Sequence, residues 1–165
     1  IATIKGLALG LYKKVIPVPT LLSYCYNMPD FKGIIISGID ARNDNLYAAI
    51  YNTTDTHPKI IGDYYTNNVY SIIDSINEII IKPDYSNLPI LVIGEGMQNF
   101  KNIFLENIKS QNINYASDNL NLEYASSIAK CSYDLLQDNI CIDSDDLVPL
   151  YLKKSQAERE LESKN

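Results

Sequence analysis

Apolar side chains at Ile1, Ile4, Leu7, Ala8 and Leu11 recur every three or four residues. That is the spacing of one side of an α-helix, so the chain opens on a predicted helix over 1–12. A second row crosses the same segment: Ala2, Gly6 and Gly10, four residues apart, make a ridge of small side chains. Two apolar sides call for burial on two sides. Glycine inside a helix costs about 1 kcal/mol relative to alanine, so Gly6 and Gly10 require a reason, such as the close approach of another backbone. Two placements answer that requirement: packing inside a further lobe of the same protein, or a helix–helix interface with a partner. Ala2, Ile4, Gly6, Leu7, Gly10 and Leu11 are the residues that make this candidate interface.

Residues 15–18 (VIPV) predict a short strand or crossover, and 19–32 a short helix and loop. The β-branched run at 33–40 (GIIISGID) reads as a buried strand. Arg42-Asn43-Asp44-Asn45 is a polar turn, since Asn and Asp tolerate the positive φ of tight turns. Strands over 46–52 and 59–66 complete an antiparallel meander. Val69, Ile72, Ile73, Ile76, Ile79 and Ile80 then take helical spacing over 69–81, with Asn67 or Asn68 as the cap. A strand over 88–93, a helix through Met97, Phe100, Ile103, Phe104 and Ile108, a short strand near 113–115 and a helix over 121–138 follow. The last helix is expected to run its inward stripe through Leu122, Ala125, Ile128, Ala129, Ser132, Leu135 and Leu136. VPLYL at 148–152 reads as strand-like, ahead of a charged tail. The order β-β-β-α-β-α-β-α predicts an α/β fold, a ribonuclease H-like lobe with a mixed five-stranded sheet, as in one half of an actin-like ATPase. The expected organisation is 1–32 as the end of an N-terminal lobe, 33–152 as the ribonuclease H-like lobe and 153–165 as the tail. The helix at Ile1 has nothing before it to cap it, so a larger N-terminal part is expected upstream.

Charge narrows the function. The net charge is −6, and the close cationic pairs are Lys13-Lys14 and Lys153-Lys154. Phosphate neutralisation needs clustered Lys and Arg, so direct, tight nucleic-acid binding is not expected. No apolar run approaches the ~18–20 residues of a membrane span. Cys25, Cys131 and Cys141 form no CxxC pair and read as idle reduced thiols, in keeping with an expected cytoplasmic location.

Candidate chemistry is sparse. His57 is the single histidine, in a loop-to-strand junction, and reads as an exposed loop residue. One histidine cannot build a zinc site of the usual His-rich kind, so no metal is expected. Gly94 and Gly96 follow a strand and open a helix. They read either as a structural turn or as a candidate nucleotide contact whose amides cradle phosphate; the third glycine of the dinucleotide fingerprint is absent. Asp40 reads as the acceptor for amides of the hairpin turn, and Arg42 either pairs with it or reaches outward to a partner as a bidentate donor. Asp143, Asp145 and Asp146 lack the glycine of a calcium loop and read as a solvated stretch.

Four segments resemble, in order, the TsaB (YeaZ) family. They are KGLALGL (5–11) with the Pro17-to-Leu22 turn, Ile39-Asp40-Ala41-Arg42 with Leu46-Tyr47, Val92-Ile93-Gly94-Glu95-Gly96, and VPLYLKKSQAE (148–158). Family members usually carry Gly at the place of Asp44 and Arg at the place of Lys153. The resemblance implies the C-terminal portion of such a protein, with the family's first strand and its glycine-serine loop upstream of Ile1. It implies an inactive paralogue of TsaD, not an enzyme. It would act as a scaffolding subunit that pairs with TsaD and with the ATPase TsaE for threonylcarbamoylation of the adenosine beside the tRNA anticodon. A homodimer is the other assembly it allows. The helix matched by 1–12 belongs to the family's interface, and ATP or ADP is expected only in the assembled complex. The paired histidines of the catalytic relative's metal site are not available here, which excludes the older glycoprotease label. The alternative reading is the nucleotide-binding lobe of an actin-like or sugar-kinase-like phosphotransferase, contacting nucleotide through Gly94 and Gly96.

Overall fold

The structure, a computed structural model, describes residues 1–110, 112–150 and 152. Helix α1 (Ala2–Gly10) is followed by the short α2 (Thr20–Ser23) and a 3-10 turn, Tyr24–Asn27. Then come strands β1 (Ile34–Asp40), β2 (Asn45–Asn52), β3 (Lys59–Ile60) and β4 (Tyr65–Asn68), and helix α3 (Val69–Ile80). The alternation continues through β5 (Ile90–Ile93), α4 (Glu95–Asn99), α5 (Lys101–Asn107), β6 (Ile113–Tyr115) and α6 (Ala125–Gln137).

One mixed sheet takes the order β3-β2-β1-β5-β6, with β4 paired to β2 beside β3. β1 and β2 are antiparallel, whereas β1–β5 and β5–β6 are parallel. This is the α/β layout read from the sequence, with two differences. The expected third strand over 59–66 is broken into β3 and β4, because the chain turns through Gly62 at φ 77°, so the sheet has six strands and not the five expected. The expected helix through 97–108 is interrupted at Phe100, which caps α4 and starts α5. Val15 forms an isolated antiparallel bridge with Ile142, which fixes the crossover expected there.

Strand alternation sends β1 side chains to two cores. Ile34 and Ile36 meet Leu46, Ile50, the isoleucines of α3, Met97 and Phe104 on one face. Ile35 meets Tyr51, Leu91, Ile93, Leu21, Tyr24 and Cys25 on the other. The cap of α3 is Asn68, whose side chain accepts the Tyr70 amide at 3.0 Å. Helix α6 departs from expectation. It buries Ser127 and Cys131, while Leu122, Ala125, Ile128, Ala129 and Leu136 face solvent. The surface it meets carries α2 and the turn with Tyr24 and Cys25, and small side chains fit against that bulk. Residues 148–150 form no strand; Tyr151 and the tail 153–165 lie outside the described residues.

Candidate functional site

Helix α1 stands on the rest of the chain by a narrow footing. Among its residues only Ala8 is buried. Ile4, Leu7 and Leu11 are 52%, 57% and 65% exposed, and Ala2, Gly6 and Gly10 are exposed as well. Its end is closed by the Tyr12 amide donating to Leu9 O and the Lys13 amide to Ala8 O, with Tyr12 at φ 53°. That is the paired bonding of a Schellman cap, with Tyr12 in the left-handed place that glycine usually fills. The Lys5 ammonium donates to the carbonyls of Asp145 at 3.0 Å and Leu147 at 3.2 Å. Lys5 and Ala8 therefore mark the inner side. At 3.6 residues per turn, Gly6 and Gly10 lie about 130° and 170° round the helix from the middle of that side. A Cβ built on either glycine meets nothing within 4 Å. The described chain supplies no close neighbour that would require either glycine.

Arg42 belongs to another element, the β1–β2 turn. Arg42, Asn43 and Asp44 follow one another at φ 62°, 52° and 58°. Asn and Asp adopt this region readily and arginine does not, so the turn needs fixing. Asp40 accepts the Arg42 amide at 2.7 Å, and its other oxygen accepts the Asn99 side-chain amide at 2.8 Å. The Asn45 side chain donates to the carbonyls of Arg42 and Asn43. The Arg42 backbone is thereby held while its side chain is exposed.

Gly94 and Gly96 sit where β5 passes into α4. A Cβ on Gly94, at φ 116°, would lie 2.3 Å from the carbonyl oxygen of Gly38. One on Gly96 would lie 2.2 Å from the amide nitrogen of Asp40. The Gly94 amide is already engaged, donating to Asn121 Oδ1 at 2.8 Å. Both glycines thus have a packing reason inside the chain: they let α4 lie directly on the backbone of β1.

His57 is half-buried, contrary to the exposed loop residue expected. Its Nδ1 lies 2.9 Å from Asp134 Oδ2, and the Tyr26 hydroxyl donates to the same oxygen at 2.8 Å. The three come from the β2–β3 loop, α6 and the 3-10 turn, beside a cavity of about 260 Å³ lined by Lys32, Asp55 and Lys130 among others. A separation of this length in the chain leaves no local signal. Burial, and then the bond to Asp134, push the Tyr26 hydroxyl upward. Burial pushes the Cys25 thiol well up, and burial with the Asp134 carboxylate pushes Cys131 up to about 11. Both stay protonated at neutral pH, so neither is an activated nucleophile. Among the described residues no three His, Cys, Asp or Glu side chains converge as a metal would need. No helix among them is long and apolar enough to cross a membrane.

Comparison with known proteins places this geometry. The family model described as TsaD, tRNA N6-adenosine threonylcarbamoyltransferase, matches residues 1–161. No curated protein matches the chain. Among the solved structures that share its fold are two from Pseudomonas aeruginosa. One is an uncharacterized protein with similarity to peptidase YEAZ from Pseudomonas aeruginosa, at 17% identity and a TM-score of 0.67. The other is YeaZ from Pseudomonas aeruginosa, at 16% identity and a TM-score of 0.67. Each match covers 92% of this chain and 65% of the solved one, so the chain spans about two thirds of their length.

Proposed function

The chain belongs to the TsaD family of tRNA N6-adenosine threonylcarbamoyltransferases, and from that premise we propose that it is a non-catalytic scaffolding subunit. Its work is to pair with a TsaD-type catalytic subunit, alongside a TsaE-type ATPase, for threonylcarbamoylation of the adenosine next to the tRNA anticodon. The observation that carries the reading is α1. It is a helix whose apolar side chains the described chain leaves uncovered, with two glycines that nothing in the described chain explains. A partner helix laid along Gly6 and Gly10 would account for both. The Arg42 side chain, held outward by a fixed turn, is a second candidate contact.

The chemistry of the chain supports a subunit that contributes surface and not reacting groups. Its two buried thiols are held protonated, and among the described residues no metal-binding cluster forms. Packing accounts for Gly94 and Gly96, which leaves the phosphotransferase reading without an observation of its own.

The test is reconstitution. The full-length protein, a TsaD-type subunit and a TsaE-type subunit are combined with tRNA, a threonylcarbamoyl donor, ATP and magnesium. The protein alone is expected to modify no tRNA, and its addition to restore modification by the other two. Copurification with the TsaD-type subunit is expected at micromolar concentration. Failure to associate, together with tight ATP binding and substrate-dependent turnover by the protein alone, would favour the phosphotransferase instead.

A further inference from the structure

Where β1 begins and β2 ends, Gly33 and Thr53 lock the two strands together. The Thr53 amide donates to the Gly33 carbonyl at 2.8 Å, and the Thr53 hydroxyl accepts the Gly33 amide at 3.2 Å. This is the far end of β1 from Asp40 and from the Gly38 carbonyl that Gly94 approaches. The strand ends fixed in this way carry Lys32 and the 53–56 loop, which line the cavity of about 260 Å³ together with Lys130 and Asp134 of α6.

Two aspartates line this cavity, and both are already bonded. Asp55 holds the Lys59 ammonium at 2.7 Å. Asp134 accepts the Tyr26 hydroxyl at 2.8 Å and lies 2.9 Å from His57 Nδ1. The two lysines are less committed. Lys32 gives one of its three donors to the Asp55 carbonyl, at 2.8 Å. Lys130 stands one turn before Asp134 on α6, at the spacing of a helical ion pair, yet the Asp134 carboxylate is turned to Tyr26 and His57. The Thr56 hydroxyl adds a further donor to the lining. In a chain of net charge −6, this is a place that offers ammonium groups while its carboxylates are spent. Bonds from ammonium to an anionic oxygen are the strong, charge-assisted kind. The volume falls below the roughly 300–1,000 Å³ of sites that enclose a drug-sized ligand, so it suits one charged group on a small molecule and not a whole nucleotide.

We propose that this cavity is a binding site for a small oxyanion, a phosphate or carboxylate group held by Lys32 and Lys130 with Thr56 as a third donor. The site stands without the α1 docking reading.

His57 borders the cavity through Asp134, and its ring signals in NMR are the reporter, assigned by their loss in His57→Gln. They are followed in the full-length protein at fixed neutral pH and fixed ionic strength as phosphate, acetate or chloride is added. Phosphate or acetate is expected to move them along a saturating curve, the tighter of the two identifying the group, and chloride to leave them in place. Lys130→Gln is expected to raise the half-saturating concentration about tenfold, as loss of one charge-assisted bond implies, and Lys130→Arg to keep it within about threefold of the parent. Lys32→Gln should weaken binding about threefold or more. Lys82→Gln, on an exposed lysine that follows α3 across the sheet, should change nothing. Lys32 and Lys130 are both exposed, so the melting temperatures of their variants should match the parent. Equal movement with chloride, or movement that never saturates, would reduce the effect to general ionic screening and overturn the site. Saturable binding left unchanged in both Lys130→Gln and Lys32→Gln would place the anion elsewhere and overturn it as well.

Discussion

Gly96→Ala adds one carbon at the tightest backbone contact between α4 and β1. The new Cβ would lie 2.2 Å from the Asp40 nitrogen and 2.4 Å from the Ile39 carbonyl carbon. Relief to ordinary contact near 3.4 Å requires the two backbones to part by roughly 1 Å. β1 is the wrong partner to move, because it is bonded to β2 on one side and β5 on the other. The helix must retreat, and it carries Met97 and leads into Phe100, both buried in the core beneath. Overpacking of this kind costs about 1–3 kcal/mol. Two rigid backbones put this case at the upper end, about 3 kcal/mol, or a fall of about 6–12 °C in melting temperature. Gly6→Ala is the matched control. Its Cβ enters open space, and the helix gains up to about 1 kcal/mol of propensity, so its melting temperature should be unchanged or slightly higher. Differential scanning calorimetry of the two variants decides the matter. A Gly96→Ala protein that melts within a degree of its parent would refute the packing explanation of that glycine and return Gly96 to the nucleotide-contact reading.

Other consequences can be checked with simple spectroscopy. Burial raises the Tyr26, Tyr51 and Tyr115 hydroxyls, Tyr115 to about 12, and Cys131 from 9.0 to about 11. The folded chain thus holds these protons to higher pH than the unfolded chain. Stability linked to them is complete below about pH 9 and falls as pH rises through about 9–12; melting temperatures at pH 8, 9, 10 and 11 should be level and then drop, and a level profile through pH 11 would contradict the burial. Thiol labelling of the native protein at pH 8 should modify Cys141 first, since it is half-buried while Cys25 and Cys131 are buried and protonated; mass mapping that finds Cys131 labelled as fast would contradict it. Tyr26→Phe removes the donor to Asp134 and should cost about 1 kcal/mol in urea denaturation, with no change indicating that the bond is made equally well to water.

Much of this architecture is legible in the chain because its determinants are local. The isoleucines of α3 declare their register by spacing alone, and Asn68 caps them as its residue type suggests. Asp40 was readable as a turn acceptor, and it does bind the Arg42 amide. The misreadings share one physical cause, since each depended on what a distant segment offered. Periodicity assigned α6 its bulkier apolar stripe as the buried one, but the surface it meets selects Ser127 and Cys131. The pause at Phe100 has no glycine or proline to announce it. His57 and Asp134 meet only through tertiary structure, as do Lys5 and the 145–147 carbonyls. The small-residue ridge of α1 was visible in sequence; that nothing in the described chain packs against it was not.

Hydrogen exchange at α1 tests the docking claim most directly. Deuterium uptake of the backbone amides over residues 2–11 is followed by mass spectrometry in the full-length protein, alone and with a TsaD-type subunit in excess. The amides of residues 2–11 should become strongly protected in the complex relative to the free protein, with little change over β1, β2 and β5. A stable complex in which the uptake of residues 2–11 is the same as in the free protein would show that the partner sits elsewhere.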